Sequence, residues 1–246
     1  ELHIQAQYKT ENMAAGFGIN YLTLKPSTVT QVYDEDESAF IDVVSKNNLS
    51  GMSMVGYLKY KADAFTVKVW GQYGQLNDNA VMIGGFYPII DSTLFTSTNI
   101  DDFTDETVRY KPINTVSAWV DFQTNGEGVQ YGLFIGMNSN SGVSLSGTDV
   151  ILENTPGLVT SSYFTGRWGN VKSMMRVAPR AVFISGKSKI GVELEYSTAN
   201  YATQEVDDDG VPVADSDLGG MDENGVVTNW QTANNLKFIV SFAYNF

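Results

Sequence analysis

The chain ends in "NNLKFIVSFAYNF", residues 234–246, and this stretch decides the fold. Aromatic or apolar residues occupy every second position from Phe238 to Phe246, and mostly small or polar residues lie between them. An alternation with a period of two is typical of a β-strand that has one apolar face. We therefore predict a final strand here, where many chains end in a disordered polar tail.

The same alternation recurs along the rest of the chain. Including the last strand, it predicts nine strands of roughly ten residues each. Few segments show the 3.6-residue period of a helix, so the sequence predicts an all-β fold. The alternating segments are 2–8, 13–21, 52–60, 65–73, 116–122, 129–137, 175–183, 190–196 and 238–246.

Short polar turns join these strands in pairs. Asn125-Gly126 is a strong two-residue hairpin signal, and three similar turns are predicted at Thr10-Glu11, Ala62-Asp63 and Gly186-Lys187. Each turn places an apolar residue opposite another apolar residue, as a one-sided sheet requires. The predicted cross-strand pairs are Tyr8 with Met13, Tyr60 with Phe65, Phe122 with Val129, and Phe183 with Ile190.

The other connections are long, at 25–50, 75–112, 139–170 and 200–230. Structureless loops of this length are uncommon in ordinary domains. These segments also hold most of the 28 acidic residues but only a third of the 15 basic residues. Tight turns at one rim and long loops at the other predict an antiparallel transmembrane β-barrel with short periplasmic turns and long extracellular loops. A soluble β-sandwich or jelly roll also alternates, but it does not predict these differences between the two rims.

Composition excludes several function classes. The chain of 246 residues has no cysteine, so a disulfide framework, a thiolate metal site and a cysteine nucleophile are absent. Its net charge of −13 argues against binding to nucleic acid. The one histidine, His3, has no identifiable catalytic partner, and no glycine-rich phosphate loop is present. We expect neither an enzyme nor a bound cofactor.

The last strand resembles the C-terminal strand of Gram-negative outer-membrane β-barrel proteins. Those proteins commonly end in Phe, preceded by alternating apolar or aromatic residues. Residues 176–197, "RVAPRAVFISGKSKIGVELEYS", resemble a strand pair from a general porin, with Bacteroidota as one source. The resemblance covers the whole chain as architecture and matches no named subfamily.

The resemblance implies a porin in the outer membrane that lets small polar solutes and ions diffuse through a water-filled channel. It implies that Phe242, Tyr244 and Phe246 form the signal read by the barrel-assembly machinery. The implied surroundings are membrane lipid and lipopolysaccharide, and porins commonly form homotrimers. Two alternatives stay open, namely the barrel part of an energy-coupled (TonB-dependent type) transporter and a structural or adhesive barrel.

Nine strands is an odd number, whereas single-chain bacterial barrels have even numbers. We therefore expect residues 1–246 to be one barrel domain that lacks its N-terminal strands, in a barrel of about sixteen. A strand overlooked in a long loop, or a barrel built from several chains, would also explain the odd number.

Charged residues on the polar face of the strands are predicted to line the channel, because lipid does not accept charge cheaply. Trp70 and Trp119 share this face. Arg180 and Glu193 are expected directly opposite each other, as an ion pair that braces the wall. A second interpretation, compatible with the first, is that Arg176, Arg180, Lys59 and Lys68 form a basic wall. The predicted pore-lining residues are Lys59, Lys68, Asp121, Arg176, Arg180, Glu193 and Glu195.

The longest loop, 75–112, is the candidate for a constriction loop that folds into the barrel opposite the basic wall. A solvated external cap is the alternative. Its acidic residues are Asp101, Asp102, Asp105 and Glu106. The acidic runs at 34–37 and 206–217 could hold Ca²⁺ or Mg²⁺, although neither has the spacing of a known calcium loop, and solvated surface is the simpler interpretation.

Overall fold

A computed structural model describes residues 1–26, 29–34, 39–93, 108–151, 169–203 and 220–244. The predicted constriction-loop acids, most of both acidic runs, and Phe246 lie outside these residues. The elements are β1 Leu2–Lys9, β2 Met13–Leu24, β3 Val29–Asp34, β4 Ala39–Val44, β5 Leu49–Lys61, β6 Phe65–Gln75, α1 Asp78–Val81, β7 Phe86–Asp91, β8 Arg109–Pro112, β9 Asn114–Thr124, β10 Val129–Asn140, β11 Asp149–Ile151, β12 Val171–Ser185, β13 Ser188–Ala202 and β14 Trp230–Tyr244.

The main sheet has nine strands in the order β1-β2-β5-β6-β9-β10-β12-β13-β14. Every neighbouring pair is antiparallel. These strands are the nine that the sequence predicts, so the all-β antiparallel fold is confirmed. Within the described residues, β1 and β14 are edge strands with one neighbour each. No helix in the described part of the chain is long and apolar enough to cross a membrane.

The predicted register is confirmed at one hairpin and wrong at three. Phe183 pairs with Ile190, as the turn at Gly186-Lys187 predicts. The observed pairs in the other hairpins are Tyr8 with Ala15, Tyr60 with Val67 and Phe122 with Leu133. Each register is displaced by an even number of residues, because the turns close farther along the chain. An even displacement keeps every side chain on its predicted face.

The sheet therefore has an apolar face and a polar face. The apolar-face positions of the nine described strands carry no Asp, Glu, Lys, Arg or His, except that Lys172, at the register irregularity of β12, has its Nζ 3.1 Å from the Trp230 ring centroid. Large apolar side chains on this face are exposed in every strand, with Phe238 and Phe242 each 69% exposed. One exposed example from each strand is Ile4, Phe17, Met54, Val69, Phe122, Leu133, Met175, Leu194 and Phe242.

The expectation that the long segments lack secondary structure is wrong. Strands β3 and β4, Val29–Asp34 and Ala39–Val44, pair antiparallel with each other. Strands β7, β8 and β11 form a separate sheet in the order β11-β7-β8. We call α1, these three strands and residues 220–229 the cap. The run Phe86–Ile90 is buried throughout, so it lacks the alternation of a one-sided strand.

The cap has an apolar core of its own and packs on the polar face. Tyr87, Ile89 and Ile151 form that core with Val227, and the Tyr87 hydroxyl donates to the Gly169 carbonyl oxygen at 2.8 Å. Val81 and Ile83 pack against side chains of the polar face, namely Trp70, Met174 and Tyr201. The described part of segment 75–112 thus covers the polar face at the end opposite the tight turns.

Asp149 links the three strands of the cap sheet. It lies directly opposite another acid, Asp91, which is unfavourable in isolation. Arg109 Nη2 lies 2.6 Å from Asp149 Oδ1, and Lys111 Nζ lies 3.2 Å from Asp149 Oδ2. Both cations are on β8, so their side chains reach across β7 to Asp149. Burial raises the pKa of Asp149, but the hydrogen bonds from Lys111 and Ser146 and the charges of Arg109 and Lys111 outweigh it and leave the pKa below its ordinary value.

Asp149 is therefore expected to make the cap sensitive to acid. Because its pKa is lower in the folded state, its stabilisation is complete above the ordinary value of 3.8 and is lost as the pH falls through the folded pKa. We predict that Asp149→Asn lowers the free energy of cap opening by about 1–2 kcal/mol at neutral pH. Hydrogen exchange of the β7 and β11 amides measures this opening.

The control is Asp63→Asn, which removes a carboxylate from an exposed tight turn. The cap of the parent and of the control should both lose protection below about pH 4. The cap of Asp149→Asn is already less protected at neutral pH, and its protection should change little further below about pH 4. Equal protection of the parent cap on both sides of this pH would contradict the role given to Asp149.

Candidate functional site

Asp121 on β9 holds two cations on the polar face. Its Oδ2 lies 3.4 Å from Lys68 Nζ, and its Oδ1 lies 2.6 Å from Arg180 Nη2. Lys68 is the direct neighbour of Asp121 on β6, whereas Arg180 lies two strands away on β12. The Asp121 side chain is 12% exposed, and these two cations compensate for its burial.

The predicted ion pair between Arg180 and Glu193 is wrong, although the two residues do lie directly opposite each other. The Arg180 guanidinium turns away from β13 and towards β9. There it donates to Asp121 and, at 3.4 Å, to Gln123 Oε1. Asp121 is buried and Glu193 is only partly buried, so Asp121 gains more from a charged partner.

Gly132 on β10 makes this long reach possible. It lies opposite Arg180 on one side and Gln123 on the other, two residues before Phe134, which is opposite Asp121. A Cβ at this position would lie 2.6 Å from Arg180 Nε and 2.9 Å from its Cγ. The Arg180 side chain therefore lies flat over the glycine. The sequence prediction missed this residue, since a lone glycine in a strand only suggests a bulge or a close approach.

Glu195 on β13 forms the centre of a second charged group. Its Oε2 lies 3.3 Å from Arg176 Nη1, and its Oε1 lies 3.2 Å from Lys237 Nζ. Lys237 was not among the predicted site residues, although its place between Phe238 and Leu236 puts it on the polar face of the last strand. It is the direct neighbour of Glu195 on β14. The Glu195 side chain is 8% exposed, and both cations are about half exposed.

Basic side chains collect on the polar face near the tight turns. Lys59 and Lys68 lie directly opposite each other, an arrangement that is unfavourable unless something compensates. A cavity of about 260 Å³ is lined by Lys59, Lys61, Lys68 and Asp121 together with Thr66 and Gln123. With Arg180 beside it, this region has four cations around one carboxylate. The structure thus places six of the seven predicted pore-lining residues in two charged groups and their surroundings, and it places Glu193 beside them on the same face.

The remaining predictions are only partly covered by the described residues. Phe242 and Tyr244 are exposed on the apolar face, in the predicted alternation. No group of three or more His, Asp or Glu that could hold a metal ion occurs within the described residues. His3 Nε2 lies 3.3 Å from Gln5 Oε1 at an exposed position.

The comparisons leave the function to be argued from this geometry. The chain matches no family model, no curated protein and no solved structure.

We predict that Gly132→Ala breaks the contact between Arg180 and Asp121. The added methyl group would occupy the space that the Arg180 side chain crosses, so the guanidinium should move beyond hydrogen-bonding distance of Asp121. The structure of the variant measures that distance. Gly128→Ala is the matched control, because a Cβ there meets no atom within 4 Å. An unchanged Arg180–Asp121 distance in Gly132→Ala would show that the glycine is not needed.

Proposed function

We propose that this chain forms part of the wall of an outer-membrane β-barrel in a Gram-negative bacterium and acts as a porin. The proposed activity is passive diffusion of small polar solutes and ions through a water-filled lumen. The observation that carries this proposal is the exposed apolar face, which runs across all nine strands and bears no charged side chain apart from Lys172, whose Nζ lies 3.1 Å from the Trp230 ring centroid at the end opposite the tight turns.

An apolar surface of this extent suits lipid and does not suit water. Soluble monomers rarely expose contiguous apolar patches larger than a few hundred Å². From Leu236 to Tyr244 the exposed stripe on β14 spans about 26 Å along the strand at about 3.3 Å per residue. Barrels of the outer membrane have an apolar band of about 25 Å. Tyr60, Phe122 and Tyr244 lie at the tight-turn end of the face, and Tyr21, Tyr73 and Tyr196 lie towards the other end, as expected for residues at the two membrane interfaces.

The polar face has the properties of a lumen wall. Its charges are fixed by partners, as with Asp121 between Lys68 and Arg180, and Glu195 between Arg176 and Lys237. Fixed charges of both signs in a water-filled passage favour polar solutes over apolar ones. The excess of cations near the tight turns favours anions among small ions.

The two edges of the sheet set a condition on closure. Strands β1 and β14 are the first and last of nine antiparallel strands, so they run in the same direction. Unpaired main-chain groups are very costly in lipid, so both edges need further strands. Antiparallel pairing at both edges requires an odd number of them, which gives an even total, as in single-chain bacterial barrels.

We predict that the purified full-length protein produces stepwise currents in planar lipid bilayers. Water and ions should pass along the polar face, and the step size should scale with the conductivity of the bath. Protein that inserts into the bilayer and gives no current would overturn the channel proposal and leave a structural barrel.

We also predict that Arg176→Glu combined with Arg180→Glu shifts the ion selectivity towards cations. The double variant reverses two charges of the polar face, and the reversal potential in a salt gradient measures the shift. The control is Lys187→Glu, which reverses a charge in an exposed tight turn outside the strands. A reversal potential equal to that of the parent protein would contradict the assignment of Arg176 and Arg180 to the lumen.

A further inference from the structure

A cavity of about 520 Å³ lies between α1 and the main sheet, and among the described residues that line it Arg176 is the one with a charged side chain. Side chains of the polar face and residues 80–82 of the cap line it. Its volume is in the range of sites that hold small organic molecules, about 300–1,000 Å³. Most of its lining is apolar, although it lies on a face that otherwise carries charge.

One register row crosses the sheet beneath this cavity. Trp70 on β6 is directly opposite Trp119 on β9, and Trp119 is opposite Gly136 on β10. Gly136 is in turn opposite Arg176 on β12. The row therefore places an indole on one side of a buried glycine and a guanidinium on the other. Two strand spacings, about 10 Å, separate the main chains that carry them.

The aromatic side of the cavity consists of three rings in succession. The ring centroids of Trp70 and Trp119 are 6.2 Å apart with an interplanar angle of 13°, and Phe134 lies 5.9 Å from Trp119. A Cβ at Gly136 would lie 3.0 Å from the Phe134 ring, so the glycine leaves room for that ring at the floor. Such a row offers flat apolar surface to another ring.

The opposite side of the cavity offers positive charge. Arg176 is 52% exposed, and its ion pair with Glu195 uses Nη1. Glu195 is shared with Lys237, so two cations accompany one carboxylate. A guanidinium has five N–H donors in a plane, which suits a carboxylate.

The helix that closes the cavity is flanked by two residues with left-handed backbone conformation. Within the described backbone, Leu76 and Met82 are the non-glycine residues with positive φ, 54° and 66°, and they flank α1. Asn138 Nδ2 donates to the Val81 carbonyl oxygen at 2.7 Å, and Gln72 Nε2 donates to Asn77 Oδ1 at 2.6 Å. Left-handed conformations at such residues are costly and persist where the surroundings fix them, often at functional sites.

We propose that this cavity binds a small aromatic carboxylate, with the ring against Trp119 and Phe134 and the carboxylate on Arg176. The inference deepens the proposed function, because it names a solute class for the same lumen and rests on the polar face being open to solutes. Binding in detergent does not require conduction, so the two proposals fail separately.

The test is calorimetric titration of the full-length protein in detergent at neutral pH, with benzoate as the probe. Benzyl alcohol supplies the ring without the charge, and acetate supplies the charge without the ring. Benzoate should bind at least about tenfold more tightly than either, because each lacks one of the two contacts. Absence of benzoate binding, or equal binding of acetate, would overturn the proposal.

Variants locate the site. Trp119→Leu keeps apolar bulk and removes the ring, and Arg176→Gln removes the charge; each should weaken benzoate binding by about fivefold to tenfold. The controls are Trp230→Ala, on the other face of the sheet, and Lys187→Gln, in an exposed turn. Benzoate affinity that is the same in Trp119→Leu as in the parent would place the binding elsewhere and reject this site.

The current and binding measurements also separate the two proposals. Stepwise currents without benzoate binding would reject the site alone, whereas benzoate binding without currents would reject the porin proposal alone.

Discussion

The constraint on which this structure depends is that side chains on a strand alternate between two faces, while cross-strand neighbours share one. Once Phe238, Val240 and Phe242 are on one face, their partners on β13 must be there too, and the rule passes from strand to strand. An apolar residue in every strand thus reaches the same side. A single odd displacement in one hairpin would place charges such as Glu193 and Glu195 among the phenylalanines.

On the polar face, long side chains cross over glycines and form hydrogen bonds with residues two strands away. Arg180 lies over Gly132 to reach Asp121, and Tyr57 lies over Gly16 so that its hydroxyl accepts a hydrogen bond from Gln5 Nε2 at 2.7 Å. In both cases a long side chain lies flat along the surface of the sheet and does not project from it. In the proposed barrel this arrangement would keep polar groups fixed at the wall and leave the centre of the lumen to water. Electrostatic selection benefits from such fixed charges, because their reorganisation is already complete before a solute arrives.

The sequence predicts the faces of the sheet better than its contacts. Faces follow from parity alone, so the nine strands and the polar set from Lys59 to Glu195 could be found without knowing the register. The partners of Arg180 depend on side-chain length, on burial and on the gap at Gly132. None of these follows a repeating pattern in the sequence, so alternation cannot predict them. The cap was missed for a related reason. Its strands are short, and β7 is buried on both sides, so Phe86–Ile90 shows a continuous apolar run where alternation was sought.

The position of the cap bears on whether the apolar face is in contact with water or with lipid. The long segments contain enough apolar side chains to cover part of that face, among them Tyr87, Ile89, Ile90 and Ile113, all almost completely buried. In a soluble protein the simplest use for them would be to cover Phe238 and its neighbours, which would gain about 25 cal/mol for each Å² removed from water. Instead Tyr87 and Ile89 belong to the core of the cap, and Val81 and Ile83 pack over Trp70 and Tyr201 on the polar side. The apolar face stays exposed. An exposed apolar face lowers stability in water but not in lipid, so the position of the cap agrees with the proposed lipid environment.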